Sequence, residues 1–505
     1  MSAPEQVIIG LDVGTTGVKA AGFGIASRWR HIEIREYPLE HPGPGLQVQD
    51  PERIAAAAEA ALADCVAAAG TAEVLAVALS SAMHGLIGLD AELRPLTPLV
   101  TWADGRARDE ARELRASGQG TELHRQTGAP VHPMTPLTKL VWFARHEPGI
   151  CAAARWWVGL KDFLLWRLTG SLVTELSSAS ATGLLDMRTR TWSAAAVACA
   201  GISSEQLPPI RPTTAVLALT GAAARRAGLP AGTPVAVGAA DGPLGNLGTG
   251  AIAPGVAGLS LGTSGAVRMV VPEPELDDAG TLFCYALTDS AWVVGGALST
   301  GGVVIRWAGE ALAPDAGEAA DEALLELAAS APAGSDGLVM LPYLLAERAP
   351  LWDPDLRGAY LGLRREHTRA HLVRAAVEGV CLQMRVILDS LDRLEPVHEV
   401  RVTGGAFRSP LWRQVMAAAL DRPLRPVGDA AGTALGAAAL GLFALGRAPS
   451  LADAVTELTE PGGSPAPPIV AAPELVATYR DVRASVPELL ASLDGVAELF
   501  AAADR

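Results

Sequence analysis

Two short segments that lie about half the chain length apart resemble each other, and they constrain the fold more than any other feature. The first, LDVGTTGVK, spans residues 11–19, and the second, LSLGTSGAV, spans residues 259–267. Each lies beside a β-rich apolar run, VIIGL before the first and VRMVV after the second. The repeat predicts two related domains, at 1–252 and 253–505, with the boundary near residues 252–258.

The spacing of apolar residues predicts an α/β protein. Half of the 505 residues are apolar and 19% are charged, as in a globular chain. Helical spacing covers residues 51–70, 315–331, 367–394 and 409–420, whereas 74–80 and 400–405 are predicted strands. The apolar stretch 432–446 is too short to span a bilayer and is predicted to be a buried helix.

Charge and cysteine content narrow the range of partners. The net charge of −15 repels polyanions, so we expect neither a nucleic-acid nor a membrane partner. The five cysteines show no Cys-x-x-Cys spacing, which predicts neither a disulfide framework nor a zinc site. The first residues, MSAPEQ, lack the basic segment of a signal peptide, so we expect a cytoplasmic protein. The oligomeric state stays open, with a homodimer among the alternatives.

The first repeat has the chemistry of a phosphate-binding turn. Asp12 ends an apolar run and is followed by Gly14, Thr15 and Thr16, whose amides and hydroxyls can face a phosphate. The GxxxxGK[ST] pattern is absent and no helix follows, so we predict a β-hairpin. Such a loop, met once, is more often a plain glycine-rich hairpin. The second copy favours the phosphate-binding interpretation.

The second repeat differs from the first in one residue that matters for chemistry. Ser260 stands where the first copy has Asp12, so only the first copy offers a carboxylate to a metal-bound phosphate. Shortly before the second copy, Asp241 follows a predicted strand in the segment GAADGPLG. An Asp in a glycine turn commonly forms the turn itself. Its position before the second loop favours a catalytic carboxylate.

Two longer segments carry a resemblance to a known family. Residues 134–146 (MTPLTKLVWFARH) and 358–378 (GAYLGLRREHTRAHLVRAAVE) each agree with a signature of the FGGY carbohydrate kinases at almost every restricted position. The resemblance extends over nearly the whole chain. Because this family is part of the actin, hexokinase and Hsp70 ATPase superfamily, the resemblance implies two ribonuclease-H-like lobes with ATP and a sugar in the cleft between them.

The resemblance also implies a role for each matching residue. Asp241 matches the general base, which accepts the proton of the attacking hydroxyl, and Asp12 would lie near Mg²⁺. The other positions that match nucleotide-binding motifs are Gly14, Thr15, Thr16, Lys19, Gly262, Thr263, Ser264, Gly302, Gly404, Gly405 and Ser409. The positions that match the sugar-contacting region are Met83, His84, Asp104 and Arg106, with Lys161 near the cleft.

Taken without the resemblance, several of these residues have a purely structural interpretation. Met83 and His84 follow a buried strand, where core residues are common. Arg106 begins the run RARDEARELR, which is typical of an exposed helix face. Lys161 and Asp162 are also compatible with an ion pair at the start of a helix.

A finer resemblance concerns the substrate. The segments SSAMHGLIGLD, WADGR and LGTSGAVR look most like those of family members that phosphorylate gluconate. Xylulose kinases typically carry Gln before the Met-His pair and Asn after the catalytic Asp, where this chain has Ala82 and Gly242. In a chain of net charge −15, a sugar acid requires a cation inside the cleft, and we expect Arg106 or else Lys161 to supply it.

Other functions stay open at this point. The first alternative is a kinase for xylulose or another polyol, because a fold shared by many sugar kinases does not choose the sugar. The second is a non-catalytic nucleotide switch of the actin or Hsp70 kind, and the third is a sugar sensor without catalysis. The presence of both Asp12 and Asp241, together with the sugar-contacting segments, favours a kinase.

Overall fold

The chain forms two lobes, and the computed structural model describes residues 5–25, 27–314, 320–428, 432–459 and 467–491. The elements of the first half are β1 (Gln6–Val13), β2 (Gly17–Gly24), β3 (Arg30–Glu36), β4 (Val48–Gln49), α1 (Pro51–Ala69), β5 (Glu73–Ser81), β6 (Ile87–Leu89), β7 (Leu99–Val100), α2 (Arg108–Ala116), α3 (Gln119–Thr127), α4 (Pro136–His146), α5 (Pro148–Ala153), β8 (Trp156–Val158), α6 (Leu160–Thr169), β9 (Thr174–Glu175), α7 (Leu176–Ser180), β10 (Leu185–Asp186), β11 (Thr191–Trp192), α8 (Ala194–Cys199), β12 (Ile210–Arg211), β13 (Val216–Ala218), α9 (Gly221–Ala227), β14 (Pro234–Ala240) and α10 (Asp241–Gly248). The elements of the second half are β15 (Val256–Leu261), β16 (Gly265–Val271), β17 (Phe283–Thr288), β18 (Ala291–Leu298), α11 (Val303–Leu312), α12 (Ala320–Ala329), β19 (Val339–Leu341), β20 (Ala359–Leu361), α13 (Arg369–Leu394), β21 (Glu399–Thr403), α14 (Pro410–Leu420), β22 (Leu424–Pro426), α15 (Gly432–Ala444), α16 (Leu451–Leu458) and α17 (Pro473–Ala491).

The larger sheets of the two lobes have the same topology. In the first sheet the strand order is β3-β2-β1-β5-β14, with β13 added at the edge. In the second it is β18-β16-β15-β21-β22, with β17 added at the opposite edge. In both sheets the first three strands are antiparallel and the last three are parallel. The α/β class and the repeat of two related lobes are therefore confirmed.

The repeated segments form equivalent hairpins. The first joins β1 to β2, with Asp12 opposite Lys19, and the second joins β15 to β16, with Leu261 opposite Gly265. β1 is almost wholly apolar because it lies in the middle of a sheet covered on both faces. The predicted hairpins are confirmed, and both turns lie at the same end of their sheets as the carboxyl ends of the parallel strands.

The helices agree with the predicted segments where the structure describes them. α1 begins after Asp50, whose side chain accepts a hydrogen bond from the amide of Glu52 at 2.9 Å, and it ends before Gly70. The segment predicted at 315–331 is helical from Ala320, and residues 315–319 lie outside the described residues. The apolar stretch after residue 432 is the buried helix α15. Among the described residues, no helix is long and apolar enough to cross a membrane.

Two helices join the lobes through direct backbone contact. α15, from the second half of the chain, packs against α10 and against β1 and β5 of the first sheet. A Cβ atom on Gly436 would lie 2.0 Å from the carbonyl oxygen of Leu244, and one on Gly248 would lie 2.0 Å from that of Gly432. The division into 1–252 and 253–505 stays a prediction, because a helix of the second half completes the packing of the first lobe.

The contact between α10 and α15 leads to a stability prediction. Gly436→Ala adds a methyl group where the carbonyl oxygen of Leu244 already lies, so we expect the free energy of unfolding to fall by about 2 kcal/mol. Gly149→Ala in α5 is the matched control, because its added Cβ would meet nothing within 4 Å. Denaturant titration measures both variants. A Gly436→Ala protein as stable as the wild type would contradict the close packing.

Candidate active site

The carboxyl ends of three parallel strands bring the first group of predicted site residues together. Asp12 lies near the end of β1 and accepts a hydrogen bond on Oδ1 from the hydroxyl of Ser80 in β5, at 2.8 Å. Asp241 follows β14, the next strand of the sheet, and begins α10. Met83 and His84 follow β5 at the same edge. Residues that are far apart in the sequence therefore meet at one edge of the first sheet.

The first Gly-Thr turn is fixed by side chains from neighbouring loops. The carbonyl of Thr15 accepts a hydrogen bond from Gln49 at 2.7 Å, and its hydroxyl accepts one from the indole of Trp102 at 2.9 Å. The carbonyl of Gly14 accepts a hydrogen bond from a tyrosine hydroxyl, and Thr16 is exposed. The turn is therefore held in place before any ligand binds.

The second sheet presents a corresponding edge of glycines and helix starts. Gly262 follows β15, and its carbonyl accepts a hydrogen bond from the amide of Gly302 at 2.7 Å, just before α11. Gly404 follows β21 with a φ of 109°, and a Cβ there would lie 2.3 Å from the carbonyl oxygen of Leu261. Ser409 directly precedes α14. Backbone amides at helix starts favour bound anions, and these two helices start at the same edge.

Three adjoining cavities lie along these edges. The first, of about 280 Å³, contains the predicted residues Thr15, Met83, His84, Asp241 and Ser264. The second, of about 310 Å³, contains the predicted residues Lys19, Asp241, Gly262 and Gly404. The third, of about 850 Å³, contains the predicted residues Gly262, Thr263, Gly302, Gly405 and Ser409. Asp241 lines the first two cavities and Gly262 the last two, so the three form one path.

Asp241 has the electrostatics of a proton acceptor. Its pKa is raised to about 6, mainly because the carboxyl is desolvated and secondly because Asp12 is close, while Arg268 opposes the rise. Asp12 also has a raised pKa, mainly through desolvation, against which Ser80 and Lys19 act. The amide of Gly242 donates to Asp241 Oδ1 at 2.9 Å and orients the carboxyl. A carboxylate with a raised pKa is a stronger base than an exposed one.

His84 is a neutral side chain in the wall of the first cavity. Desolvation, with Lys139 nearby, lowers its pKa to about 3, so the ring carries no charge near pH 7. Its Nδ1 lies 2.8 Å from the carbonyl oxygen of Ala181 and must donate the proton. Nε2 is therefore left as a hydrogen-bond acceptor. The backbone φ of 65° is strained for a histidine, which indicates that its position is imposed by the surrounding fold.

Two arginines that the sequence did not single out line the first cavity. Arg268 lies on β16, and desolvation lowers its pKa to about 10, with Asp241 raising it and Arg348 lowering it further. Arg348 donates to the carbonyl of Leu298 at 2.7 Å and to the hydroxyl of Ser299 at 3.2 Å. Both arginines lie close enough to Asp241 to act on its charge. The first cavity therefore combines a carboxylate with two cations.

The placement of Arg106 differs from the expected contact with a sugar acid. Its Nε and Nη2 donate to the two carboxylate oxygens of Asp104 at 2.7 and 3.0 Å, and its guanidinium stacks over Trp142 at 4.9 Å. Asp104 is buried and also accepts the amide of Gln47 at 2.7 Å. Neither residue lines any of the three cavities. The structure therefore shows this pair fixing a loop, and its contact with the sugar stays a prediction.

Lys161 lines a small cavity of about 40 Å³ that also contains Met83 and His84. Its ammonium is buried, donates to the carboxylate of Glu175, and donates to the carbonyl of Val237 at 3.2 Å. It does not line any of the three larger cavities, and its contact with a substrate stays a prediction. Asp162 caps the start of α6 by accepting the amide of Gly159 at 2.7 Å. These contacts agree with the structural interpretation of the pair.

The two family-like segments contain residues that support the site without lining it. Lys139, in the first segment, is buried and donates to the carbonyls of His84 at 2.6 Å and Thr101 at 2.7 Å. Glu378, in the second, accepts the hydroxyls of Ser335 at 2.8 Å and Tyr479 at 2.7 Å in the core of the second lobe. The sequence identifies both segments but not these hydrogen bonds, because nothing in the pattern shows which carbonyls a buried lysine reaches.

The arrangement defines a two-lobed phosphoryl-transfer enzyme. The first cavity, which contains a buried carboxylate, shares Asp241 with a second cavity lined by glycines and Lys19, and the second shares Gly262 with a third of about 850 Å³. The chain belongs to the FGGY family of carbohydrate kinases, since residues 7–248 match the N-terminal domain of that family and residues 257–445 match its C-terminal domain. It is an ATP-dependent carbohydrate kinase, and the predicted resemblance is confirmed.

Individual relatives are similar along most of their length. The gluconokinase of Bacillus subtilis (strain 168) is 36% identical over 89% of this chain and 90% of its own. The crystal structure of gluconate kinase from Lactobacillus acidophilus has a TM-score of 0.91 at 32% identity, covering 97% of this chain and 98% of its own. Ligand-bound xylulose kinase from Lactobacillus acidophilus also has a TM-score of 0.91, at 31% identity, covering 98% of this chain and all of its own.

The raised pKa of Asp241 predicts the acid limb of the pH–rate profile. A general base must be deprotonated, so kcat/KM for the sugar should fall as the pH drops through about 6. An exposed aspartate would place this limb near pH 4 instead. Initial rates measured from pH 4.5 to 8.5, with enzyme stability checked at each pH, give the profile. A limb near pH 4 would contradict the electrostatic environment described for Asp241.

Replacing the carboxylate tests its chemical role directly. Asp241→Asn keeps the shape of the side chain but removes the proton acceptor, so turnover should fall on the order of a hundredfold or more. ATP and sugar binding should stay close to those of the wild type. Steady-state rates together with calorimetric titration of each ligand separate the two effects. A variant with near-normal turnover would exclude Asp241 as the base.

Proposed function

We propose that the protein phosphorylates D-gluconate at its terminal hydroxyl, using ATP, to give 6-phospho-D-gluconate. The observation that carries the proposal is the position of Asp241 at the junction of two cavities, of which one contains two arginines and the other the glycine-rich edge. The similarity to two gluconate kinases supports the choice of sugar acid. The sequence-based expectations of a cytoplasmic location, of no nucleic-acid partner and of a homodimer as one alternative are retained as part of the proposal.

In the proposed reaction, Asp241 orients the terminal hydroxyl of the sugar and accepts its proton. The transition state of phosphoryl transfer is loose, so the proton leaves late and the position of the base matters more than its strength. The hydrogen bond from the amide of Gly242 supplies that position. The neutral imidazole of His84 offers Nε2 to another hydroxyl of the sugar, which orients the chain of carbon atoms.

We propose that the second and third cavities hold ATP. Lys19, Gly262 and Gly404 line the second cavity, where a cation and glycine-rich backbone suit the phosphates. Thr263, Ser409 and the start of α11 line the third cavity, whose volume of about 850 Å³ suits the nucleoside. Because the two Gly-Thr turns belong to different lobes, a single nucleotide would bridge them.

Magnesium is part of the proposal, and the residues present fit it. Within the described residues, no group of three or more His, Cys, Asp or Glu side chains could hold a metal ion alone. Mg²⁺ commonly uses one or two carboxylates and completes its shell with phosphate oxygens and water. Asp12, near Asp241 and Lys19, is the oxygen donor that would hold it. When bound, Mg²⁺ would neutralise charge on the phosphates, and Asp12 would fix the position of the cation.

Two alternatives from the sequence have different consequences. A xylulose kinase remains the second candidate, because the fold is equally similar to a solved xylulose kinase. A neutral ketose, however, would add no anion beside the two arginines of the first cavity, for which Asp241 is a shared carboxylate neighbour. A non-catalytic nucleotide switch would not require a buried base next to an acceptor cavity. The arrangement of Asp241 and the arginines therefore favours a kinase for a sugar acid.

A substrate panel tests the proposed reaction. ADP release is measured with D-gluconate, D-xylulose, glycerol and D-glucitol, and the product from gluconate is offered to an NADP-dependent 6-phosphogluconate dehydrogenase. We expect kcat/KM for gluconate to exceed that for each neutral compound about tenfold or more, because the buried cations lack a partner with a neutral compound. NADP reduction should follow, because the phosphate is placed on the terminal hydroxyl. Efficient turnover of xylulose without turnover of gluconate would overturn the substrate and leave the kinase assignment intact.

A further inference from the structure

We propose that Arg268, in the space left open by Gly242, binds the carboxylate of the substrate and makes the first cavity selective for sugar acids over neutral polyols. The proposal rests on the proposed function, because it assigns a residue to the recognition of gluconate. It replaces the expectation from sequence that Arg106 supplies this cation.

The position of Arg268 points to an anionic ligand. The side chain enters from the second lobe on β16 and lines the first cavity together with Asp241 and His84, which belong to the first lobe. Its Nε atom is buried and has no hydrogen-bond partner among the described residues. An arginine donor without a partner in a buried place is costly, and a bound carboxylate would remove that cost.

Gly242 explains how the guanidinium fits beside the catalytic carboxylate. A Cβ atom on Gly242 would lie 3.7 Å from Nε of Arg268 and 3.2 Å from Cε of Met83. A methyl group at 242 would thus touch the guanidinium, and Gly242 leaves the space beside it open. A longer side chain at 242 would fill the gap between Asp241 and Arg268 and displace the guanidinium.

The other cations near the cavity already have partners. Arg348 uses two nitrogens on Leu298 and Ser299 and stacks over Trp102 at 5.0 Å. Arg106 is held by both oxygens of Asp104. Arg348 still contributes positive charge to the cavity, but in the part of the chain that the structure describes Nε of Arg268 has no hydrogen-bond partner.

Contact with the transferred phosphoryl group is the competing role for Arg268, because its side chain also lines the second cavity. The two roles predict different kinetics. A carboxylate contact affects gluconate and spares a neutral analogue, whereas a phosphoryl contact affects every acceptor equally.

The decisive variant is Arg268→Gln, compared on D-gluconate and on D-glucitol, which has a CH₂OH group in place of the carboxylate. Binding is read from tryptophan fluorescence, because Trp102 and Trp352 line the first cavity, so the measurement does not depend on turnover. We expect the Kd for gluconate to rise about a hundredfold and the Kd for D-glucitol to change less than about threefold. Values of kcat/KM for both acceptors, where turnover is measurable, should show the same selectivity.

A second variant and a control keep the test independent of folding defects. Gly242→Asn should raise the Kd for gluconate by displacing the guanidinium, while Arg53→Gln, at an exposed position of α1, should match the wild type. Equal losses on both acceptors, or no loss on gluconate, would overturn the role of Arg268 and leave the gluconate kinase proposal standing. A wild-type protein that neither binds nor phosphorylates gluconate would overturn both proposals.

Discussion

The close backbone contact between α10 and α15 holds the second half of the chain against the elements that carry Asp12 and Asp241. Gly248 and Gly436 bring the two helices together without intervening side chains, and a Cβ on either would lie 2.0 Å from a carbonyl oxygen. Gly10 in β1 has the same relation to the carbonyl oxygen of Ala434 in α15. Asp12 follows Gly10 by two residues and Asp241 begins α10, so α15 packs against both elements that carry these carboxylates.

Much of this framework can be predicted from the sequence, because it depends on local patterns that occur twice. An apolar run followed by a Gly-Thr turn is sufficient to predict a hairpin. The structure contains one hairpin between β1 and β2, where Asp12 lies opposite Lys19, and another between β15 and β16. Asp241 could be placed near the turns, because the carboxyl ends of parallel strands share one edge of a sheet. Its pKa of about 6 could not be predicted, since it results from burial and from the proximity of Asp12.

The cations show why the sequence was insufficient for the substrate site. Arg106 matched a sugar-contacting motif, but a motif does not show that two of its three guanidinium nitrogens donate to Asp104, two residues away. Arg268 was part of a quoted segment, and nothing in that segment indicates that its side chain faces Asp241. Arg348 lies in a loop that carries no recognisable motif. Contacts made within a loop compete with contacts to a ligand, and only the assembled cleft shows which of them is formed.

The electrostatics of the cleft reconcile a chain of net charge −15 with two anionic reactants. Charges at the surface are screened over about 8 Å at physiological ionic strength, whereas charges in a buried cavity interact much more strongly. Before the substrate binds, Arg268 is balanced by Asp241, and it lowers the pKa of that carboxyl. In the proposed complex, a substrate carboxylate paired with Arg268 would weaken this influence and raise the proton affinity of Asp241. The proposal therefore couples binding of a sugar acid to the strength of the proposed base through a single arginine.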